Sequence, residues 1–116
     1  MAAKALVYLN RIVAGGPGEG GKCRWTDIVA AVRAAADDPS EDAEAMLRKV
    51  LDFEGDLALE EDSSLPHSMA PEDMLRSIAV QALAERNKEK HRDAITRVAG
   101  STDSERLKAI ARKLLA

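Results

Sequence analysis

The sequence predicts an all-α protein of five to six helices, and three observations support this fold class. Apolar residues recur at spacings of three and four along most of the 116-residue chain, as they do on the buried face of an amphipathic helix. No stretch alternates apolar and polar residues for long enough to make a strand. Prolines, glycines and short polar segments divide the periodic stretches into helix-sized pieces.

Length and composition indicate one domain, residues 1–116, with an aliphatic core. Hydrophobic residues make up 46% of the chain but aromatic residues only 3%, so leucine, isoleucine, valine, methionine and alanine must fill the interior. The single cysteine, Cys23, excludes an internal disulfide. No apolar run reaches membrane-spanning length, and Asn10 and Arg11 interrupt the apolar start where a signal peptide would stay apolar. We therefore expect a cytoplasmic protein without a membrane partner.

The first helix is predicted over residues 1–14, where Leu9 and Ile12 fall on one face. A glycine-rich loop over residues 15–24 ends it, because successive glycines disfavour a helix. Thr26 is the expected N-cap of the second helix, since its hydroxyl can accept a hydrogen bond from a backbone N–H of the first turn.

The third helix is predicted to follow the segment DDPSED. Asp38 is the expected N-cap, Pro39 suits the first helical position, and Glu41 can reach back as in a capping box. This helix is expected to run to about Phe53 and to stop at Gly55.

Residues 56–70 show no sustained periodicity and are interpreted as a long connection or one short turn of helix. Pro71 is expected to open a helix that runs to about Arg86. A shorter helix is predicted over residues 89–99, and Gly100 is expected to end it.

The last helix is predicted to begin at a capping box formed by Thr102 and Glu105. Its apolar pattern repeats that of the helix after Pro71, because Leu107 lies 32 residues after Leu75 in a matching context. The same offset backwards gives a third set of apolar positions: Ala43, Met46, Leu47, Val50 and Leu51. One pattern at one spacing predicts a helical-repeat region over residues 26–116.

The segments LRSIAVQAL, from Leu75, and LKAIARKLL, from Leu107, resemble the HEAT-like repeat family in its short bacterial form, whose longer helix reads V-R-x-x-A-x-x-A-L. The segment from Ala43 departs from this pattern at its charged position, Glu44. The resemblance implies a right-handed α-α superhelix, a HEAT-like stack. It also implies a non-enzymatic protein–protein interaction module or scaffold for another protein. The partner would then contact exposed residues of the shorter helices, and the candidates are Arg33, Arg92 and Arg97.

Residues 16–23, GPGEGGKC, resemble the phosphate-binding loop G-x-x-x-x-G-K-[ST]. Cys23 stands where a hydroxyl should hold magnesium, and its soft sulfur is a poor ligand for that hard ion. The preceding segment also has helical rather than strand spacing. A flexible linker is favoured, with nucleotide binding at this loop as an alternative.

The acidic stretch from Asp52 invites comparison with a calcium loop, because Asp52, Glu54 and Asp56 occupy alternate positions. Leu57 stands where the loop needs glycine, and Ser63 where it needs a bidentate glutamate. We therefore interpret the stretch as a solvated connection and expect no metal site.

No catalytic constellation is predicted. His67 and His91 have no cysteine or histidine at ligand spacing, and His91 borders an apolar face, which favours a packing role. Cys23 has no histidine near it in sequence. We expect a protein that is not an enzyme and holds no cofactor, although some HEAT-like proteins assist bilin attachment, which leaves a pigment-lyase-like role as an alternative.

The charges are unevenly distributed along the chain. From Val50 to Leu75 there are eight acids and no lysine or arginine, whereas from Arg76 onward ten basic residues face five acids. This favours two solvated faces, with nucleic-acid backbone binding as an alternative. The apolar end KLLA is compatible with a monomer or a weak homodimer. The basic residues of the alternative are Lys88, Lys90, Arg92, Arg97, Arg106, Lys108, Arg112 and Lys113.

Overall fold

The protein is described by a computed structural model that covers residues 2–15, 24–53, 59–60, 69–101 and 104–116. These ranges contain six helices, which confirms the predicted all-α class. None of the helices described there is long and apolar enough to cross a membrane. The helices are α1 (Ala2–Gly15), α2 (Trp25–Asp37), α3 (Glu41–Asp52), α4 (Pro71–Asn87), α5 (Arg92–Ser101) and α6 (Glu105–Leu115).

The six helices enclose one apolar core in a compact globule. The most extensive packing joins consecutive helices, α1 with α2, α3 with α4 and α5 with α6. Further contacts join α2 to α4, α4 to α6 and α1 to α3. Every helix contributes at least one large, fully buried aliphatic side chain to this core: Leu9, Ile28, Leu47, Leu83, Ile95 and Leu107, in helix order.

The directions of the helices follow from side-chain contacts at their ends. Arg76, near the start of α4, bonds the carbonyl of Phe53 at the end of α3. Arg86, near the end of α4, reaches the carbonyl of Ser40 at the start of α3. The two helices therefore run antiparallel. Successive copies of a repeat would run in the same direction, so the 32-residue spacing does not make α3 and α4 equivalent helices of neighbouring repeats. Their apolar residues share a spacing because all amphipathic helices have it.

The start of α3 differs from the expected cap. Ser40 is the N-cap, and its hydroxyl accepts a hydrogen bond from the backbone N–H of Ala43 at 3.2 Å. Asp38 lies two residues too early, and its carboxylate accepts from the N–H of Ser40 at 2.9 Å. Pro39 is consequently outside the helix rather than at its first position, and Glu41 is the first helical residue.

Three other helix boundaries also differ from the predictions. Helix α2 begins at Trp25, with Arg24 as an N-cap that has no side-chain hydrogen bond, so Thr26 lies inside the helix. Gly100 lies within α5 rather than ending it. The N-cap of α6 is Ser104, which accepts from Leu107 N–H at 3.2 Å, while Thr102 lies outside the described residues.

Two arginines of α4 bind the carbonyl groups that end the preceding helices. Arg86 Nη2 donates to Ala35 O at 2.8 Å and to Ala36 O at 3.3 Å, and also to Asp38 O. Arg76 donates to Phe53 O, the C-cap of α3. The last carbonyls of a helix have no intrahelical partner, so α4 supplies donors that α2 and α3 lack.

The predicted division into a first helix (1–14), a loop (15–24) and a repeat region (26–116) stays a prediction. Residues 16–23 of the loop lie outside the described residues, and so does most of the 56–70 connection.

Candidate functional site

The largest group of interacting charged side chains in the described residues lies between α3 and the turn that joins α4 to α5. Glu44 and Arg48 are four residues apart on α3, so both face the same side of that helix. Lys90 and His91 belong to the turn, and Asp93 lies in the first turn of α5. We call these five residues the polar cluster.

His91 is the buried centre of the polar cluster, with 2% of its surface exposed. Arg48 Nη1 lies 3.2 Å from its Nδ1. Because a guanidinium only donates, Nδ1 is the acceptor and the ring proton is assigned to Nε2. Nε2 lies 3.3 Å from Glu44 Oε1, but the alignment is too oblique for a hydrogen bond of good geometry. The contact is therefore chiefly electrostatic.

Glu44 is the acidic centre of the polar cluster. Its Oε2 accepts a hydrogen bond from Lys90 Nζ at 2.5 Å. This hydrogen bond is the largest cause that holds the pKa of the Glu44 carboxyl below its ordinary value, and the neighbouring His91 is the second. Arg48 also approaches Asp93, with 3.5 Å between Nη2 and Oδ2.

The polar cluster joins a histidine to a carboxylate, as general acid–base sites do. A general base must reach the proton that it removes, directly or through one water. With 2% of its surface exposed, His91 offers no face to a substrate, and both of its nitrogens already face protein groups. The geometry instead ties α3 to the turn and to α5.

An open cleft of about 390 Å³ adjoins the polar cluster, and its walls include Asp37, Pro39 and Glu44. Arg86 also lines it, but its guanidinium is committed to the carbonyls at the end of α2. Glu44 is likewise occupied by Lys90. Glu44 and the Nη2 group of Arg86 are thus satisfied by the fold itself, whereas the buried Arg86 Nε has no hydrogen-bond partner among the described residues.

The three predicted partner-binding residues are exposed but do not form one surface. Arg33 lies on α2, whereas Arg92 and Arg97 lie on α5, and α2 does not pack closely on α5 in the described residues. Arg92 pairs with Glu89 at 2.7 Å, and Arg97 pairs with Asp52 at the end of α3. No acid pairs with Arg33 in the described ranges. That these residues bind a partner stays a prediction.

Seven of the eight basic residues named for nucleic-acid binding divide into two groups, and the eighth, Lys88, is partly buried at the C-cap of α4. Lys90, Arg92, Arg97 and Lys108 each form an ion pair with a nearby carboxylate. Within the described part of the chain, the other exposed cations of α6 have no acidic partner within ion-pair distance: Arg106, Arg112 and Lys113.

The remaining sequence motifs lie outside the described residues. These include the 16–23 loop with Cys23, His67, and most of the acidic stretch after Asp52. In the ranges that are described, no group of three or more histidine, cysteine or acidic side chains could hold a metal ion.

Sequence reasoning identified His91 as a packing residue, and its burial agrees with that interpretation. It did not identify Glu44 and Arg48 as the partners of His91. A signal was available, because both residues border the apolar stripe of α3 with a spacing of four. Comparison with known protein families, with curated proteins and with solved structures finds no match to this chain.

Proposed function

We propose that the protein is a HEAT-like helical-repeat module that binds another protein and has no catalytic activity of its own. The observation that carries the proposal is the order of packing. Each of the three consecutive helix pairs packs within itself, and α2, α4 and α6 pack on one another in sequence. Stacked helix pairs of this kind bury their apolar faces on their neighbours and leave extended surfaces for a partner.

The direction of the helices supports the same proposal. Arg48 and Asp52 of α3 face Asp93 and Arg97 of α5 in the same order, so these helices run parallel. Helix α4 runs antiparallel to α3. In a stack of helical hairpins, the two helices of each hairpin run antiparallel, and equivalent helices of neighbouring hairpins run parallel. The repeating unit would then be a hairpin such as α3 with α4.

The internal use of the polar cluster also favours binding over chemistry. Its carboxylate and imidazole contact protein groups, and the imidazole is buried. A partner would instead meet exposed side chains such as Arg33, which could form charge-assisted hydrogen bonds with an acidic group.

Site-specific photocrosslinking tests the proposal. A benzophenone amino acid at Arg33 or at Arg92 is expected to give a discrete adduct with one protein in extract from the source organism, and excess unlabelled protein should compete for it. Ala45, exposed on α3, provides the matched control position, where no adduct is expected. Absence of a competable adduct at both arginine positions would contradict the proposal.

Nucleic-acid backbone binding is the second candidate, and α6 is the observation that favours it. Arg106, Arg112 and Lys113 are exposed and have no acidic partner among the described residues. Phosphate contacts would make binding fall steeply with salt. Duplex DNA titrated at low salt should then bind the protein and lose affinity in the variant Arg112→Glu/Lys113→Glu. No binding at low salt would exclude this candidate.

A further inference from the structure

The α5–α6 hairpin is attached to the rest of the molecule by two contacts of different character. Helix α6 packs directly on α4, and its Leu107 and Ala111 are fully buried. In the described residues, by contrast, the backbones of α3 and α5 do not pack closely, and α4 meets α5 only slightly. Helix α5 buries Ala94, Ile95, Val98 and Ala99 in the core, but the hydrogen bonds and ion pairs that join it to α3 come from long charged side chains.

Three ion pairs bridge α3 to the turn and to α5, and we call them the α3–α5 seam. They are Glu44–Lys90 at 2.5 Å, Arg48–Asp93 at 3.5 Å, and Asp52–Arg97. Each pair has at least one half-exposed or more exposed member: 58% of the Lys90 side chain, 73% of Asp93 and 54% of Arg97. Water and salt can reach all three pairs and compete for them.

His91 lies at one end of this seam, where the turn leaves α4. The groups that face it are Glu44 and Arg48 of α3, with Lys90 beside it in the turn and Asp93 beyond Arg48. Its burial fixes the turn against α3, whereas the Asp52–Arg97 pair lies at the far end of the seam. The seam can therefore open from that far end while the turn stays in place.

We infer that the α5–α6 hairpin is a movable unit, which pivots on its α4–α6 contact and is held closed by the polar α3–α5 seam. Opening separates α5 from α3 and changes the curvature of the helix array, while the apolar α4–α6 contact remains. This conformational device goes beyond the proposed function, because it does not depend on any partner. It makes the closed state of the hairpin sensitive to ionic strength.

Pulsed electron paramagnetic resonance can measure the separation of α3 and α5 directly. Spin labels are placed at Ala45→Cys on α3 and Thr96→Cys on α5, in a Cys23→Ser background; both labelled positions are exposed. At low salt we expect one dominant short distance. High salt should at least double the population of a longer distance, because it screens all three pairs, and loss of each exposed ion pair changes such an equilibrium by a factor of about 1.4 to 5.

A second label pair provides the matched control. Ala30→Cys on α2 and Gln81→Cys on α4 report the apolar α2–α4 contact, and both positions are exposed. Their distance should stay unchanged at high salt. If both label pairs broaden together, the whole protein is loosening and the inference is wrong.

Weakening the seam by mutation should produce the same effect without salt. The double variant Asp93→Asn/Arg97→Met weakens two of the three pairs and leaves the Arg48–His91 hydrogen bond in place, and it should enlarge the long-distance population at low salt. If this variant does not fold, the salt series alone decides. An Ala45–Thr96 distance distribution that does not change with salt overturns the inference, whatever the partner of the protein proves to be.

Discussion

The two outer helix pairs are attached to the central α3–α4 pair in different ways. Both α1 and α2 pack directly on it, α1 on α3 and α2 on α4. Leu9, Ile28 and Leu75 meet at this end around a cavity of only about 10 Å³, hardly room for one water. At the other end, α6 packs directly but α5 is connected through ion pairs. We call the packing of α1 and α2 on the α3–α4 pair the apolar joint, and the ion pairs that connect α5 to α3 the polar joint. The stability of the two joints should respond differently to mutation, pH and salt.

The largest effect is expected at the apolar joint. Ile28 is fully buried on α2, so Ile28→Ala loses transfer free energy and leaves a cavity, at a cost of about 2–5 kcal/mol in the free energy of unfolding. This loss should be the same at low and high salt, because no charge is involved. Urea unfolding at both salt concentrations measures it, and a loss that varied with salt would contradict the apolar character of this joint.

Arg86 comes next, because it joins α4 to the end of α2. Arg86→Met would leave the partly buried carbonyls of Ala36 and Asp38 without this donor, which costs about 1–3 kcal/mol; Ala35 O would keep the backbone N–H of Asp38. Hydrogen exchange should speed up in the last turn of α2 first. Arg33→Met is the control, since an exposed residue without a partner in the described ranges should change stability by less than about 0.5 kcal/mol. Equal effects of the two variants would refute the capping role.

Glu44 tests the polar joint through pH. Its pKa is lowered in the folded protein, chiefly by the hydrogen bond from Lys90. A lowered pKa means that the carboxylate stabilises the fold fully when the pH is above the pKa of the unfolded chain, and that this stability is lost as the pH falls through the folded pKa.

Glu44→Gln should therefore lower the free energy of unfolding at neutral pH by about 0.5–1.5 kcal/mol. Below the folded pKa of Glu44 the variant and the wild type should converge. Urea unfolding from acid to neutral pH measures the difference, with Glu41→Gln as an exposed control on the same helix. A difference that persists unchanged at acid pH would show that charge is not the cause.

The smallest effect is expected at the far end of the seam. Arg97→Met removes the half-exposed pair with Asp52, which should lower stability by about 0.2–1 kcal/mol at low salt and by nearly nothing at high salt. The salt dependence of urea unfolding, compared between variant and wild type, measures it. A salt-independent loss would point to packing of the arginine stem instead.

The helices were predictable because their signals are local. Apolar spacing of three and four residues located all six, and Pro71 marked the start of α4. The caps were less predictable, since Asp38 and Ser40 are both good N-cap residues. Asp38 instead stabilises the turn before α3 by accepting from the N–H of Ser40. Only tertiary structure decides which of two neighbouring caps is used.

The pairing of helices and the polar cluster were beyond sequence reasoning for a different reason. Whether α3 packs as a copy of α4 or antiparallel to it depends on the chain path, and one apolar stripe serves both arrangements. Likewise Arg48 and His91 are separated by 43 residues, so nothing local indicates that they meet. The buried state of His91 could be predicted from its neighbours on α5, but its partners could not.

The carbonyls at the end of α2 depend on Arg86, which lies about 50 residues later in the chain. During synthesis, a nascent chain would expose α2 with an incomplete last turn until Arg86 had left the ribosome. Likewise, the carbonyl of Phe53 at the end of α3 has no arginine donor until Arg76 has been synthesised. Until α4 is complete, therefore, the ends of both earlier helices lack the arginine donors that bind them in the folded protein.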